Sequence, residues 1–225
     1  MSDADRTLAM FPLGTALLPG GLLPLHVFEP RYRQMIQDCL AAAGEPEFGQ
    51  VLITRGRETG GGDVRAAVGT AAQMMQVEAL DGGRYALVAL GSRRIRIARW
   101  LDDDPYPRAV VDDWPDDLTD CPDRTAIDAA ARRVGALLAM AAAVERTLGR
   151  TTADAFAADA PEHGDLGDVD VAADPVLASY QLATMAPIGA ADRYRLLTEA
   201  GPASRLVTLD AILDDVQAML EFRLS

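Results

Sequence analysis

The sequence contains no lysine; all 21 basic residues are arginine. That absence removes several chemistries together. No Walker A loop can end in its lysine, no Ser-Lys dyad can exist, and no Schiff base can form. Cysteine is scarce too. Cys39 and Cys121 make no disulfide framework and share no short metal-ligand spacing, so the reading expects no cofactor, no metal and a reducing cytoplasm. The opening MSDADRTLAM lacks a basic region followed by an apolar one, so no secretion signal is expected. The longest apolar run, GALLAMAAAV from Gly135, is bracketed by Arg133 and Glu145 and falls far short of the ~20 residues of a membrane span. Positive charge is in deficit, 34 acids giving a net charge of −13, which disfavours nucleic acid as a partner.

What is present suits a soluble globular chain, 49% hydrophobic and 24% charged. At 225 residues it is long enough for one large domain or two lobes, burying roughly 70–75% of its unfolded surface without a staple. The first half reads as strands and turns. FPLGTALLPGGLLPLHVFEPRYRQMI, from Phe11, sets prolines and glycines among strong hydrophobes before a helix begins at Glu29-Pro30. Along that helix Tyr32, Met35, Ile36, Cys39 and Leu40 recur at helical spacing. FGQVLITRG from Phe48, AAVGTAAQMMQVEAL from Ala66, RYALVAL with RRIRIARW, and RAVVDDW read as strands. Turns are expected at Gly60–Gly62 and at Asp81-Gly82-Gly83. Ile95 and Ile97 alternate with Arg94 and Arg96.

The second half changes period. A long Ala/Leu-rich helix runs from near Asp120 to Gly149, an acidic segment over 151–174 shows no apolar periodicity, and three further helices follow. The reading is therefore α+β: a β-rich lobe over 8–118 and an all-helical lobe over 119–221, with the acidic loop inside the second.

The opening stretch resembles the start of the substrate-recognition N-terminal domain of Lon proteases, a domain also found in cereblon. Pro24, Leu25, His26, Phe28, Glu29, Pro30, Arg31 and Tyr32 match the family phrase, with Val27 for the common isoleucine. VGTAAQ at Val68, GRYALVALGSRRIRI at Gly83 and ASRLVTLDAIL at Ala203 extend the resemblance over about Leu8 to Leu220. It implies a single domain with a PUA-like pseudo-barrel lobe before the helical lobe. It also implies a standalone form without the family's ATPase and peptidase domains, both of which the missing lysine excludes independently. The function implied is non-enzymatic binding of unfolded or apolar polypeptide segments, as an adaptor or modulator in protein quality control with a protease or chaperone as a further partner. Two other classes stay open: a small-molecule binder or lysine-free hydrolase, which would rest on His26 or His163, and RNA binding through the stripe RRIRIAR.

LPGG at Leu18 is a structural turn, because its glycines lead into a strand and not a helix N-terminus. Pro24 within a strand points to an edge or a bulge. His26 lacks an evident nucleophile, and with Phe28, Glu29, Pro30, Arg31 and Tyr32 it reads as structural. Leu25, Phe28, Tyr32 and Ile36 are expected in one core. Cys39 is a core thiol, and Cys121 has no base partner. Asp165, Asp168, Asp170 and Asp174 fail the calcium-loop pattern. Met74 and Met75 point to opposite faces. Met75, with Ala71, Val77 and Ala79, looks core-facing. Met74 lies on the mixed face, which is either covered by the helical lobe or open to an apolar partner. The second alternative makes Met74 the candidate partner-binding residue.

Overall fold

The structure, a computed structural model, describes residues 6–56, 58, 62–147 and 171–224. The chain divides into two compact units, Met1–Pro115 and Asp116–Ser225.

The first unit holds six strands and one helix: β1 (Arg6–Leu13), β2 (Leu22–Val27), α1 (Pro30–Ala41), β3 (Glu47–Arg55), β4 (Val64–Leu80), β5 (Arg84–Trp100) and β6 (Arg108–Asp113). A 3₁₀ turn at Asp81–Gly83, where the DGG turn is expected, joins β4 to β5. The sheet order is β2-β5-β4-β3-β1-β6, and β5 also pairs with β6. That extra pairing closes β1, β3, β4, β5 and β6 into a ring and leaves β2 paired to β5 alone. Every pairing is antiparallel except β1 with β3. RYALVAL and RRIRIARW are one strand of 17 residues, long enough for one half to carry β2 and the other to carry β6.

Because the ring is closed, a strand can bury both faces. One cluster, Leu8, Met10, Val51, Ala71, Ile95, Ala109 and Val111, lies on one side. The larger cluster on the other side gathers Phe11, Leu23, Val27, Phe48, Ala72, Met74 and Leu87 against α1. Helix α1 contributes Tyr32, Met35, Ile36 and Cys39 of the face its periodicity predicts, whereas Leu40, expected with them, is 47% exposed. Phe11 stacks at a tilt on Tyr32, with ring centroids 4.2 Å apart, and meets Phe48 edge-on at 5.9 Å.

The LPGG stretch is the turn expected. Gly20 has φ +81° and donates to the Gly91 carbonyl at 2.8 Å, while Gly91 donates to Gly21 at 2.9 Å. A side chain at Gly91 would press its Cβ to 2.5 Å from the Leu18 carbonyl. The loop dives into the core and is held there by two buried polar side chains. Gln50 accepts from the Leu17 amide at 2.9 Å and donates to the Thr15 carbonyl at 2.6 Å, and Thr70 donates to the Leu17 carbonyl at 2.6 Å. The buried backbone of the loop is thereby satisfied.

The Ile/Arg alternation in β5 is only partly an in/out pattern. Ile95 is buried, but so is Arg94. Arg94 lies over the Trp114 ring at 4.2 Å and donates to the Pro115 carbonyl at 3.2 Å, with Arg96 over the same ring at 3.8 Å.

The second unit is helical: α2 (Arg124–Thr147), α3 (Pro175–Met185), α4 (Ala190–Leu197) and α5 (Pro202–Leu224). Asp123 caps α2 by accepting from the Ala126 amide, and Asp174 caps α3 from Leu177, both at 2.8 Å, with Pro175 at the first helical position of α3. Of the acidic segment, 151–170 lies outside the described residues, with Asp165, Asp168, Asp170 and His163; so do residues 59–61 of the glycine turn. The unit is centred on Arg205 of α5, which is fully buried. Its guanidinium donates to Asp116, to Ser179 Oγ (2.7 Å) and Tyr180 Oη (2.8 Å) of α3, and to the Leu196 carbonyl of α4 (3.1 Å). Tyr180 in turn donates to Asp116 at 3.0 Å.

Candidate functional site

Parity along the strands decides what the first unit shows to solvent. In β2 the odd positions Leu23 and Val27 are buried and Leu25 half-buried, so Leu22, Pro24 and His26 face outward. Phe28, next in that even series, is 60% exposed. This corrects the expectation that Phe28 joins Leu25, Tyr32 and Ile36 in the core. The chain bends into α1 only after Phe28, so it keeps the outward phase of the strand.

Strand β4 adds a second correction. Met74 is 6% exposed and packs in the α1-side cluster, whereas Met75 is 54% exposed. The pairing steps from Met74↔Ala89 to Gln76↔Val88, so Met75 is the extra residue of a β-bulge. Thr70, Ala72 and Met74 do share a face, but it is the buried one; Ala71, on the opposite face, is buried in the other cluster. Beyond the bulge the phase shifts, and Val77 packs on the same cluster as Met74. Met74 therefore has no open surface to offer a partner, and Met75 does.

Leu22, Pro24, Phe28 and Met75 thus stand on the outer side of the β2–β5–β4 flap. A shallow groove of about 310 Å³ runs across it, with Pro24 and His26 on one wall, Ala86 and Val88 of β5 beneath, and Gln76 and Glu78 on the other wall. Leu22 is 63% exposed. So much uncovered apolar side chain on one sheet face is unusual for a surface with no partner. Pro24 sits on the edge strand, as its missing N–H requires. Among the described residues the side chains of His26 and Glu78 have no hydrogen-bond or ion-pair partner.

The remaining motif residues build the corner behind this face. Glu29 precedes α1 with extended backbone and Pro30 opens it. Arg31 donates to Glu29 at 3.1 Å and to the Glu58 carbonyl at 3.2 Å, and lies 4.5 Å over the Tyr32 ring. Burial pushes the Tyr32 hydroxyl up to about 12, with Arg31 opposing and Glu29 adding to the shift. Cys39 is pushed up to about 11 by burial, then by Asp38 and Glu47, so its thiol stays protonated. Glu47 would be raised by its own burial, but hydrogen bonds and charge from Arg93 and Arg6 hold it below the usual carboxylate range. Of the stripe RRIRIAR, Arg93 pairs with Glu47 and Asp113, both at 2.8 Å, and Arg94 and Arg96 lie on Trp114. Among the described residues no three His, Cys, Asp or Glu are placed to hold a metal ion, and no helix is long and apolar enough to cross a membrane.

The arrangement suits contact with apolar groups through an open face. Sequence reasoning passed over Leu22 and assigned Met75 to the core. Leu22 was legible from the alternation in LLPLHV; Met75 was not, because nothing local says that the opposite face, with Met74, is the one packed in the α1-side cluster.

A family model described as the ATP-dependent protease La (LON) substrate-binding domain matches residues 7–215. A solved Lon N-terminal domain protein from Xanthomonas campestris is 26% identical, covering 92% of this chain and 98% of that one at a TM-score of 0.62. The N-terminal domain of a Mycobacterium avium complex Lon protease shares the fold at 19% identity, with 93% and 99% coverage and a TM-score of 0.57. Among curated proteins, Lon protease 2 of Myxococcus xanthus is 30% identical and Lon protease of Anaeromyxobacter dehalogenans (strain 2CP-C) 29% identical, each over 113 residues. That stretch is 49% of this chain and 13% of either relative.

Proposed function

The chain belongs to the Lon substrate-binding domain family, and from that premise we propose that it binds exposed apolar segments of other polypeptides without changing them chemically. The observation that carries this reading is the outer face of the β2–β5–β4 flap, where Leu22, Phe28 and Met75 lie open beside the groove. Burying apolar side chains releases ordered solvent and needs no particular sequence, which is what recognition of varied unfolded chains demands. Methionine fits irregular partners at low cost. Family membership supports the further step that a bound chain is passed to a protease, with this protein as adaptor or modulator. The missing lysine supports the absence of ATP use and of Ser-Lys cleavage.

The test is fluorescence polarisation with a labelled, permanently unfolded protein of the casein type. Replacing Leu22 and Met75 together by aspartate should weaken binding at least about tenfold, since each forfeits roughly 1–2 kcal/mol of apolar burial. The melting temperature should hardly move, because both side chains are exposed. Binding of the wild type should change little as salt rises. Undiminished binding by the double variant would remove the flap from consideration. Cleavage of the same substrate by highly purified protein would overturn the non-enzymatic reading.

A further inference from the structure

Resting on that reading, we propose that the groove selects apolar polypeptide segments that carry a basic residue, and that Glu78 is the selecting group. The registers place His26, Ala86 and Glu78 in one cross-strand row, and Pro24, Val88 and Gln76 in the row beside it. The central strand thus offers small and apolar side chains between taller walls, in a trough about 10 Å wide, two strand spacings across. An extended segment laid along β5 drops alternate side chains into successive rows, about 7 Å apart. One apolar side chain then sits on Val88, towards Leu22 and Met75, and the next inward side chain sits on Ala86 beside the Glu78 carboxylate.

Charge decides what that second side chain is. Glu78 is exposed and has no ion-pair partner among the described residues. Arg84, the nearest cation along β5, is turned back on the turn, its Nε donating to the Asp81 carbonyl at 2.9 Å. The chain's net charge of −13 draws basic segments and repels acidic ones at longer range. An arginine or lysine over Ala86 therefore meets a free carboxylate, while an acid there meets repulsion and an apolar group leaves Glu78 partly desolvated.

Three fluorescein-labelled peptides test this, sharing one disordered Leu/Phe core and differing only in whether Arg, Gln or Glu flanks it. Wild type should bind the Arg peptide about threefold more tightly than the Gln peptide, the scale of an exposed ion pair, and the Glu peptide most weakly. Raising salt to about 0.5 M should compress that order while the shared core affinity persists. Glu78→Gln should abolish the preference and keep binding of the Gln peptide; Glu78→Arg should invert it. A wild type indifferent to the flank, or a Glu78→Gln variant that keeps the preference, overturns the role of Glu78 and leaves apolar binding standing. Failure of all three peptides to bind wild type overturns both readings.

Discussion

In Met1–Pro115 both sides of a closed sheet bury apolar clusters; Gln50 and Thr70 are buried to satisfy one inserted loop, and Arg94 is buried against Trp114. Among the described residues of Asp116–Ser225 the largest fully buried side chain is an arginine, bound to two helices and to the residue that opens the unit. The backbone explains the contrast. Ring pairing spends the strands' N–H and C=O groups between elements, so the sheet is cross-linked before any side chain is chosen. Helices spend theirs internally and join one another only through side chains, so a guanidinium with five donors can tie α3, α4 and α5 together. Charge differs as well: residues 1–115 carry 12 arginines against 15 acids, residues 116–225 carry 9 against 19. Trp100 and Trp114 are the only tryptophans and both lie in the first unit, so fluorescence follows that unit while far-UV circular dichroism follows mainly the helices.

The largest effect is expected at Arg205. Arg205→Ala removes a fully buried guanidinium with its bonds to Asp116, Ser179, Tyr180 and the Leu196 carbonyl, and should cost ~3–5 kcal/mol in the dichroism transition. Adding Asp116→Asn should restore part of it. A loss below ~1 kcal/mol would show that the helices do not depend on the ion cluster. In the first unit Phe48→Ala should cost ~3 kcal/mol, read by tryptophan fluorescence, while Phe28→Ala on the open face should cost well under ~1 kcal/mol. Equal losses would erase the distinction between core and candidate site. Gln50→Ala strands the Leu17 amide and should cost ~1–3 kcal/mol in the same transition.

The smallest effect is a pH dependence of the first unit. Tyr32 and Tyr106 are both pushed up to about 12, chiefly by burial, and for Tyr106 also by its 2.8 Å bond to Asp38. Unfolded tyrosines titrate near 10. The folded unit thus holds protons that the unfolded chain has released, so this stability is complete below about pH 10 and is lost between about pH 10 and 12. Urea midpoints by fluorescence should fall over that window in wild type and less in Tyr106→Phe. A flat midpoint would remove the burial of both hydroxyls as a source of stability.

Much of the fold is legible because its signals are local. The buried face of α1, the edge position of Pro24, the LPGG turn and the long α2 each follow from a few adjacent residues whose preferences agree with the fold. The open face is legible only in part. Alternation in LLPLHV indicates Leu22, and carrying the same parity one residue further indicates Phe28. Met74 and Met75 fall opposite to expectation because the face that Met74 shares with Thr70 and Ala72 is packed in the α1-side cluster, while the bulge after Met74 shifts the phase of the residues beyond it.

The sequence by itself determined the excluded chemistries, the α+β order of elements, the family, and the start of α1 at Pro30, because composition and local backbone preference act within a few residues. Tertiary structure alone decided which methionine is exposed, that Arg94 lies buried on Trp114, and that Arg205 meets Asp116 across 89 residues of chain. Those outcomes depend on strand register and on closure of distant segments, which no short stretch of sequence encodes.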